Sequence, residues 1–368
     1  MEELPRIEKL RLKTYVCYGV KFWNRKTVTS IFGGKAPVVF SGNIQSAITT
    51  AKKRNAELLC WASLNNDEVL SLTDKAQIPL LNIEDGFIRS VGLGAGLARG
   101  GALSLDDQGI YYSAAKASRL EVLLNTYCLS PLEVTRAKGM VELLRSTKLT
   151  KYNWDRRTNP IRIEESKRQV ILVAGQVSDD QGVIQSISGL PKGSRAKNIN
   201  EALLRAVRND FPDAFIVYKP HPDVQAGLRK GQIREQVCSD LCDSVVSSGS
   251  VVDHFKKVDR VATFSSLTGF EALIRGVSVT TYGLPFYSGW GLTNDRVSIA
   301  RRQKKRELHE LVYICLAKYM YCIDINSLRE TTPELLIQSL AQQKQSRIHR
   351  LTTSWTQHIS WAGRRAGL

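Results

Sequence analysis

The acidic pair Glu84-Asp85, followed by Gly86, is the first of four segments whose residue types suit chemistry on a sugar or a phosphate. The pair follows the apolar run 80–83, and two adjacent carboxylates there suit general acid/base work or the binding of hydroxyl groups. Gly86 permits a sharp turn, and Arg89 could hold a ligand carboxylate through two parallel hydrogen bonds. The structural alternative is a surface turn that caps a helix.

The second segment, Gly175–Asp180, likewise follows an apolar run, residues 169–174. It offers the amide of Gln176 and two adjacent carboxylates, Asp179 and Asp180. Such a loop could present a carboxylate to a ligand, and a capped turn is an equally good interpretation.

The third segment is Lys219-Pro220-His221-Pro222, which follows the apolar run 214–218. Proline fixes its own φ angle and restricts the residue before it, so this loop is stiff. The stiffness pre-organises Lys219 and His221, and both side chains can donate hydrogen bonds to a phosphate.

The fourth segment, Thr263–Glu271, predicts a strand, a hydroxyl-rich turn and a helix. Ser265, Ser266 and the backbone N–H groups of the turn could bind an anion at the start of that helix. Glu271 could accept hydrogen bonds from a ribose, and a helix cap with spare hydroxyls is the alternative. Together the four segments predict a nucleotide-phosphate site in the second half of the chain, facing carboxylates from the first half.

Two series of alternating strands and helices are predicted to carry these segments. The first half has short apolar runs typical of strands at 14–20, 38–40, 58–61 and 79–83, with helix-like stretches between them. The second half repeats the alternation from residue 169 onward. Such alternation indicates a parallel sheet covered on both faces, and ligands of these sheets bind at the carboxyl ends of the strands.

We therefore predict an α/β protein with two Rossmann-like domains facing across a cleft, the GT-B arrangement of nucleotide-sugar transferases, and a C-terminal helical tail. Residues 1–165 form the N-terminal, acceptor-side domain, and the polar stretch 150–168 is the predicted linker. Residues 166–305 form the nucleotide-binding domain. Residues 306–368 form the C-terminal helices and a basic tail.

The chain of 368 residues has a net charge of +17. Residues 301–368 hold 12 Lys/Arg against 5 Asp/Glu, and Arg301–Arg306 is the densest basic run. Such an excess could bind nucleic acid, an anionic membrane surface, or only solvent. Nucleic-acid binding is disfavoured because no zinc finger, RNP-like motif or helix-turn-helix pattern is present, whereas Trp355 and Trp361 near the C-terminal arginines favour a membrane surface.

Several motifs carry a family resemblance. The segments EDGFIRSVGLG (84–94), GIYY (109–112), GQVSDD (175–180) and YKPHPD (218–223) resemble KpsC-type capsule polysaccharide transferases, as do GFEALIRG and YGLPFYSGWGLT within 266–293. The resemblance implies a retaining β-Kdo transferase that uses CMP-Kdo and builds a Kdo linker on a lipid. KpsC proteins typically carry two such modules, and this chain has room for one.

The resemblance, read onto the four segments, implies a role for each candidate residue. Arg89 would hold the sugar carboxylate, Asp85 would be the base or acid for the acceptor, and Asp179 or Asp180 the nucleophile. The remaining predicted contacts are with CMP, through Lys219, His221, Ser265, Ser266 and Glu271, and with substrate, through Glu84, Gln176 and Tyr282. No metal is expected, because no convincing DxD-like motif is present and Lys219 and His221 could neutralise the leaving phosphate.

Two other functions remain open at this level: an inverting transferase of the CMP-sialic-acid type or for another nucleotide sugar, and a basic nucleic-acid-binding protein. The predicted partners are a CMP-sugar donor, a lipid-linked or saccharide acceptor, and an anionic membrane surface. Because the sequence shows no signal peptide and no long apolar span, the predicted location is the cytoplasm, peripheral to the inner membrane.

Overall fold

The computed structural model describes residues 6–91, 98–151, 153, 168–190, 198–227, 229–247 and 249–346. Within these residues the chain forms two α/β domains, each built on one sheet that is wholly or mostly parallel. This confirms the predicted fold class. The predicted linker lies largely outside the described residues, and so do Trp355 and Trp361.

The first sheet has seven strands: β1 (Tyr15–Tyr18), β2 (Val39–Ser41), β3 (Glu57–Trp61), β4 (Leu80–Asp85), β5 (Ala102–Asp106), β12 (Met320–Ile323) and β13 (Glu330–Thr331). They lie in the order β13-β12-β5-β4-β3-β1-β2. Strands β1 to β4 are parallel, whereas β5 runs antiparallel to both of its neighbours, β4 and β12. The carboxyl ends of β1 to β4 therefore meet at one edge of the sheet.

Helices cover both faces of this sheet: α1 (Ile7–Leu10), α2 (Phe22–Phe32), α3 (Ile44–Arg54), α4 (Asp67–Ala76), α5 (Arg119–Thr126) and α6 (Pro131–Thr147). The residues that begin them explain their positions, because Asn43 and Asn66 each accept a backbone N–H of the helix that follows. Ser130 and Glu133 form a reciprocal capping box ahead of α6, which satisfies two donors that the helix leaves free.

The second sheet is all parallel and has six strands: β6 (Val170–Ala174), β7 (Phe215–Lys219), β8 (Ser244–Val245), β9 (Arg260–Thr263), β10 (Ser278–Thr281) and β11 (Asn294–Asp295). Its order, β8-β7-β6-β9-β10-β11, is that of a Rossmann fold. The strand order reverses between β6 and β9, and the crevice at that point is where such sheets bind ligands. Its helices are α7 (Gln181–Ile184), α8 (Ile199–Asp210), α9 (Pro222–Gln225), α10 (Glu235–Leu241), α11 (Val251–His254) and α12 (Leu267–Ile274).

The chain after residue 305 returns to the first domain. Helix α13 (Leu308–Tyr313) continues as a π-helix through Lys318, and α14 (Pro333–Gln345) closes the described chain. Between them lie β12 and β13, which extend the first sheet beyond β5. The prediction of helices alone missed these strands, because β12 is a four-residue buried run that follows the helix without a turn signal.

The two domains share one apolar core. The ring centroid of Phe87 lies 4.4 Å from that of Phe286 and 6.1 Å from that of Phe270, so an aromatic side chain from the first domain sits among aromatics of the second. The same cluster takes in Trp290, whose side chain is fully buried. Continuous apolar packing of this kind joins the domains over a broad area.

The basic run Arg301–Arg306 is part of this junction. Arg302 pairs with the buried carboxylate of Glu121 on α5 at 2.8 Å, and Arg301 pairs with the other oxygen of the same carboxylate. Arg306 donates to the carbonyl oxygens of Leu124 at 2.7 Å and Tyr127 at 2.6 Å.

Three arginines of the predicted membrane patch are thus occupied inside the protein, and the run is not the exposed basic surface expected from sequence. None of the described helices is both long and apolar enough to cross a bilayer. Attachment to a membrane surface stays a prediction without support from this run.

Glu121→Ala should destabilise the protein strongly, because it leaves the buried guanidinium of Arg302 without its partner. Removing one member of a buried pair costs about 3–5 kcal/mol, so the thermal unfolding midpoint should fall by several degrees. Glu142→Ala is the matched control, since the carboxylate of Glu142 is 68% exposed in its pair with Arg145 on α6. Equal midpoints for the two variants would contradict this role for Glu121.

Candidate functional site

The predicted site residues lie mainly at the carboxyl ends of strands from both sheets. Glu84 and Asp85 end β4, Lys219 ends β7, and Gln176 and Ser265 follow β6 and β9 at the point where the second sheet reverses its strand order. The loop after β5 bridges the two edges, because the N–H of Ala114 donates to the carbonyl of Gln185 at 3.0 Å. The two strand edges therefore face one another across an interdomain cleft.

Asp85 is held by a buried arginine. The Nε of Arg89 lies 2.8 Å from Asp85 Oδ2, and the Arg89 side chain is fully buried. Arg89 also donates through Nη1 to Ser90 Oγ at 3.0 Å and through Nη2 to Asn24 Oδ1 at 3.3 Å. Asn24 in turn lies 3.4 Å from Asp85.

This environment changes the expectation for Arg89. The sequence suggested that its guanidinium holds the carboxylate of the donor sugar, but in the structure its three nitrogens face protein groups and none is exposed. Arg89 instead fixes the position of Asp85.

Glu84 has a different environment from its neighbour. Its side chain lies in the cleft, and burial, followed by the negative charges of Asp85 and more weakly Asp180, raises the pKa of Glu84 to about 8. The positive charge of Lys151 and the N–H of Asp85 oppose this shift only in part. A carboxyl group whose pKa lies near neutrality can both accept and release a proton, which is the property of a general acid/base.

Gln176 ties the ends of β6 and β9 together. Its Oε1 accepts the N–H of Ser265 at 2.8 Å, and its Nε2 donates to Ser265 Oγ at 3.1 Å. Ser265 Oγ donates to the carbonyl of Gly182 at 2.8 Å, and Ser266 Oγ caps α12 by accepting the N–H of Thr268. These side chains shape the crevice, and the start of α12 offers backbone N–H groups to an anion.

His221 is oriented by its own loop. Its Nδ1 accepts the N–H of Asp223 at 3.2 Å at the start of α9. Burial lowers the pKa of His221, with the charges of Asp223 and Asp180 opposing the shift. The neutral ring therefore carries its proton on Nε2, which can donate to a phosphate. The Lys219 carbonyl accepts the N–H of Gly175 at 2.8 Å, so this loop and the loop after β6 are linked.

The two carboxylates of the second segment have different surroundings. Asp179 is 45% exposed and pairs with Arg229 at 2.9 Å, and the Arg229 hydrogen bond lowers the pKa of Asp179. Asp180 caps α7 by accepting the N–H of Gly182 at 3.1 Å, as the capped-turn alternative predicted. The charge of Asp180 nevertheless contributes to the pKa of both Glu84 and His221, so Asp180 is the carboxylate that faces the cleft.

Glu271 and Tyr282 are engaged in other contacts. Glu271 Oε1 accepts the N–H of Lys151 at 3.0 Å, which links α12 to the end of the first domain, and burial raises the pKa of Glu271. Tyr282 donates to Asp210 at 2.7 Å. Asn200 at the start of α8 bonds to Gln176, whereas Asp210 is ten residues further on, about 15 Å along the helix. The hydroxyl of Tyr282 therefore lies at the other end of α8 from Gln176. The expected contacts of Glu271 with a ribose and of Tyr282 with substrate thus compete with roles in the fold.

Tyr112 is a site residue that the sequence reasoning did not single out. Its hydroxyl is buried without a hydrogen-bond partner among the described residues. Burial first, and then the charges of Glu84 and Asp180, raise the pKa of Tyr112. Burying a hydroxyl without a hydrogen-bond partner costs about 1–3 kcal/mol of folding free energy. A tyrosine hydroxyl left in this state near two cleft carboxylates is typical of a group that contacts a ligand. The only signal in the sequence was the motif GIYY.

The described residues contain no group of three or more His, Cys, Asp or Glu side chains that could hold a metal ion. The seven cysteines form no disulfide bonds.

Comparison with known proteins agrees with this geometry. The family described as capsule polysaccharide biosynthesis protein matches residues 57–163 and 137–329. The chain belongs to this family. It is 35% identical over 338 residues to the capsule polysaccharide modification protein LipA of Neisseria meningitidis serogroup B, covering 92% of this chain and 46% of LipA. It is 36% identical over 274 residues to the lipopolysaccharide-processing protein LpsZ of Rhizobium meliloti, covering 73% of this chain and 60% of LpsZ. The family member described here thus spans about half the length of LipA.

Two solved structures share its fold. The Thermosulfurimonas dismutans KpsC β-Kdo 2,7 transferase superposes with a TM-score of 0.71 and 29% identity, covering 90% of this chain and 100% of that one. The β-Kdo 2,4 transferase of the same organism's KpsC gives 0.75 and 27%, covering 89% and 98%. The resemblance to KpsC-type transferases found in the motifs is confirmed.

Glu84→Gln should stabilise the protein in a pH-dependent way. Between the ordinary pKa of a glutamate and about 8, the folded state keeps a proton on Glu84 that the unfolded chain has lost, so the wild type loses stability as pH rises through this window. Glutamine does not titrate, and its advantage in unfolding midpoint should grow by at least about 2 °C from pH 5 to pH 9. Glu142→Gln, at an exposed position, should show no such growth. A midpoint difference for Glu84→Gln that is the same at both pH values would exclude the raised pKa.

Proposed function

We propose that this protein is a glycosyltransferase that moves Kdo from CMP-Kdo to a saccharide or lipid-linked acceptor in the synthesis of a surface polysaccharide. The observation that carries the proposal is the cleft at the strand-order reversal of a Rossmann sheet, where the charge of Asp180 acts on both Glu84 and His221. Family membership and the likeness over whole domains to two β-Kdo transferases support the reaction class.

In this proposal the second domain binds the nucleotide. The phosphate of CMP lies at the start of α12, beside the Nε2–H of His221 and the ammonium group of Lys219. These donors stabilise the negative charge that develops on the leaving phosphate, and they are fixed before reaction by Pro220, Pro222 and the Gln176–Ser265 bonds. The proposed reaction needs no metal, because the protein supplies these positive groups.

The proposed mechanism retains the anomeric configuration through two displacements. An oxygen of Asp180 attacks the anomeric carbon of Kdo, and the bond from that carbon to the phosphate oxygen breaks with its electron pair leaving on CMP. The acceptor oxygen then attacks the same carbon, the bond to Asp180 breaks, and the acceptor proton passes to the ionised form of Glu84, whose population grows as pH rises toward its pKa of about 8.

Asp180 is preferred to Asp179 because Asp179 is already paired with Arg229, whereas the charge of Asp180 acts on both Glu84 and His221. Glu84 replaces Asp85 as the proposed base, since Asp85 is paired with the buried Arg89. Asp85 then acts on Glu84 through its negative charge, which is second only to burial among the causes that raise the pKa of Glu84.

The donor assay tests this function. Purified protein should release CMP from CMP-Kdo when an acceptor saccharide is present, and should leave CMP-sialic acid and UDP-sugars intact. His221→Ala should lower kcat/KM for CMP-Kdo by about 100-fold or more, because it removes a preorganised donor to the phosphate. His309→Ala is the control, since His309 lies on α13, outside the cleft. Preferential use of a sialic acid or UDP donor, or an unchanged kcat/KM in His221→Ala, would contradict the proposal.

A further inference from the structure

Arg229 links the two loops that carry Asp180 and His221. Its Nη2 lies 2.9 Å and its Nε 3.3 Å from Asp179 Oδ1, in the loop after β6. Its backbone N–H donates to the carbonyl of Asp223 at 3.2 Å, two residues after His221 in the loop after β7. Arg229 therefore lies at the same end of the second sheet as the proposed nucleophile and the histidine proposed to bind the phosphate.

The backbone beside Arg229 is fixed by hydrogen bonds. The carbonyl of Lys230 accepts the N–H of Ser178 at 2.9 Å, and the carbonyl of Gly231 accepts a hydrogen bond from Asn200 Nδ2 at 2.8 Å. Gly231 has a φ of +132°, and a Cβ atom added there would lie 2.8 Å from Asn200 Nδ2. Only glycine lets the chain approach the loop after β6 so closely. This anchoring holds the segment that carries the guanidinium in place before a ligand binds.

The ion pair with Asp179 leaves part of the guanidinium available. Both nitrogens that bond to Asp179 contact its Oδ1, whereas Nη1 of Arg229 has no hydrogen-bond partner among the residues that the structure describes. The side chain of Arg229 is 43% exposed and is therefore open to a ligand. Burial is the main cause that lowers the pKa of His221, and the positive charge of Arg229 lowers it further. The guanidinium and the imidazole ring are thus close enough to act on one anion.

The leaving group of the proposed reaction needs more positive charge than the bound donor does. The phosphate of CMP-Kdo is a diester with a single negative charge, whereas released CMP is a monoester with a charge of about −1.5 to −2 near pH 7. Fixed donors that face this developing charge stabilise the transition state. Arginine suits the task, because its planar N–H groups can bind a phosphate through two parallel hydrogen bonds.

We propose that Arg229 is a further phosphate-binding residue, and that Asp179 positions it. The guanidinium binds the phosphate of the CMP donor and stabilises the charge that develops as the bond to the anomeric carbon breaks. The proposal rests on the transferase function and adds a cation to its donor site. It also gives the two adjacent carboxylates separate roles, since Asp180 attacks the sugar and Asp179 acts through Arg229.

The test compares CMP with cytidine, which lacks the phosphate. Arg229→Ala should raise the dissociation constant of CMP by about tenfold and leave that of cytidine unchanged, both measured by calorimetry with cytidine as the competitor. Arg229→Lys keeps the charge but loses the planar fork, so its value for CMP should lie between those of Arg229→Ala and the wild type. With CMP-Kdo as donor, Arg229→Ala should also lower kcat, because the added charge appears in the transition state. Since the side chain is exposed, the variants should fold.

Asp179→Asn tests the positioning role. Its amide oxygen can still accept hydrogen bonds from Arg229, and a negative charge beside the phosphate is removed. The dissociation constant of CMP should therefore be no higher than in the wild type, and transfer from CMP-Kdo should be retained.

A matched control lies on α8. Nε and Nη2 of Arg205 both bond to Glu201 Oε1, at 3.1 and 2.9 Å, in the same geometry as the pair of Arg229 with Asp179. Arg205→Ala removes an exposed ion pair of this kind within a helix. It should leave the dissociation constants of CMP and cytidine unchanged.

Three results would overturn the proposal. The first is a dissociation constant for CMP that is the same in Arg229→Ala as in the wild type. The second is a rise for cytidine as large as the rise for CMP, which would show that Arg229 supports the nucleotide loops without binding the phosphate. The third is loss of transfer in Asp179→Asn with unchanged CMP binding, which would make Asp179 the nucleophile.

Failure of the transferase function gives a different result. If the wild type binds CMP, and Arg229→Ala weakens that binding, but the wild type does not release CMP from CMP-Kdo, the transferase function is contradicted and the phosphate site is not.

Discussion

One buried cation, Arg89, organises the catalytic end of the first domain. Its guanidinium contacts Asp85, Asn24 and Ser90, its N–H donates to the carbonyl of Lys151, and its carbonyl accepts the N–H of Gly101. Lys151 in turn donates to Glu271 of the second domain. A charge that is fully removed from water needs such partners. The requirement brings α2 and the loop after β4 together around Asp85, and backbone hydrogen bonds through Lys151 connect this arrangement to α12.

The same arrangement gives two neighbouring carboxyl groups different properties. Asp85 takes the guanidinium, and Glu84 is left in the cleft with a pKa raised to about 8 by burial and by its neighbour's charge. Adjacent carboxyl groups that lie in such different environments can have different chemical roles. The proposed base, Glu84, therefore depends on the ion pair between its neighbour Asp85 and Arg89.

The sequence predicted the fold class and the main site loops, because strand ends in alternating α/β sequences are marked by glycine, proline and acidic residues. It could not predict that Arg89 is buried or that Arg301 and Arg302 bind Glu121. Arg301 and Arg302 contact a residue about 180 positions earlier, and Arg89 is buried against Asn24, 65 positions earlier. A local sequence pattern predicts an exposed arginine in each case. Strands β12 and β13 were missed because β12 becomes a strand by pairing with the distant β5, and β13 becomes one by pairing with β12. Tyr112 was missed because its buried, unpartnered hydroxyl is a feature of the folded chain that the motif GIYY does not reveal.

In the proposed transfer, Asp180 of the second domain is the nucleophile and Glu84 of the first domain is the base. The most direct measurement is intact-protein mass spectrometry of the Glu84→Gln variant incubated with CMP-Kdo in the absence of acceptor, followed by peptide mapping. We expect a mass increase of one Kdo residue, located on Asp180. An adduct on any other residue, or full transferase activity in Asp180→Asn, would contradict it.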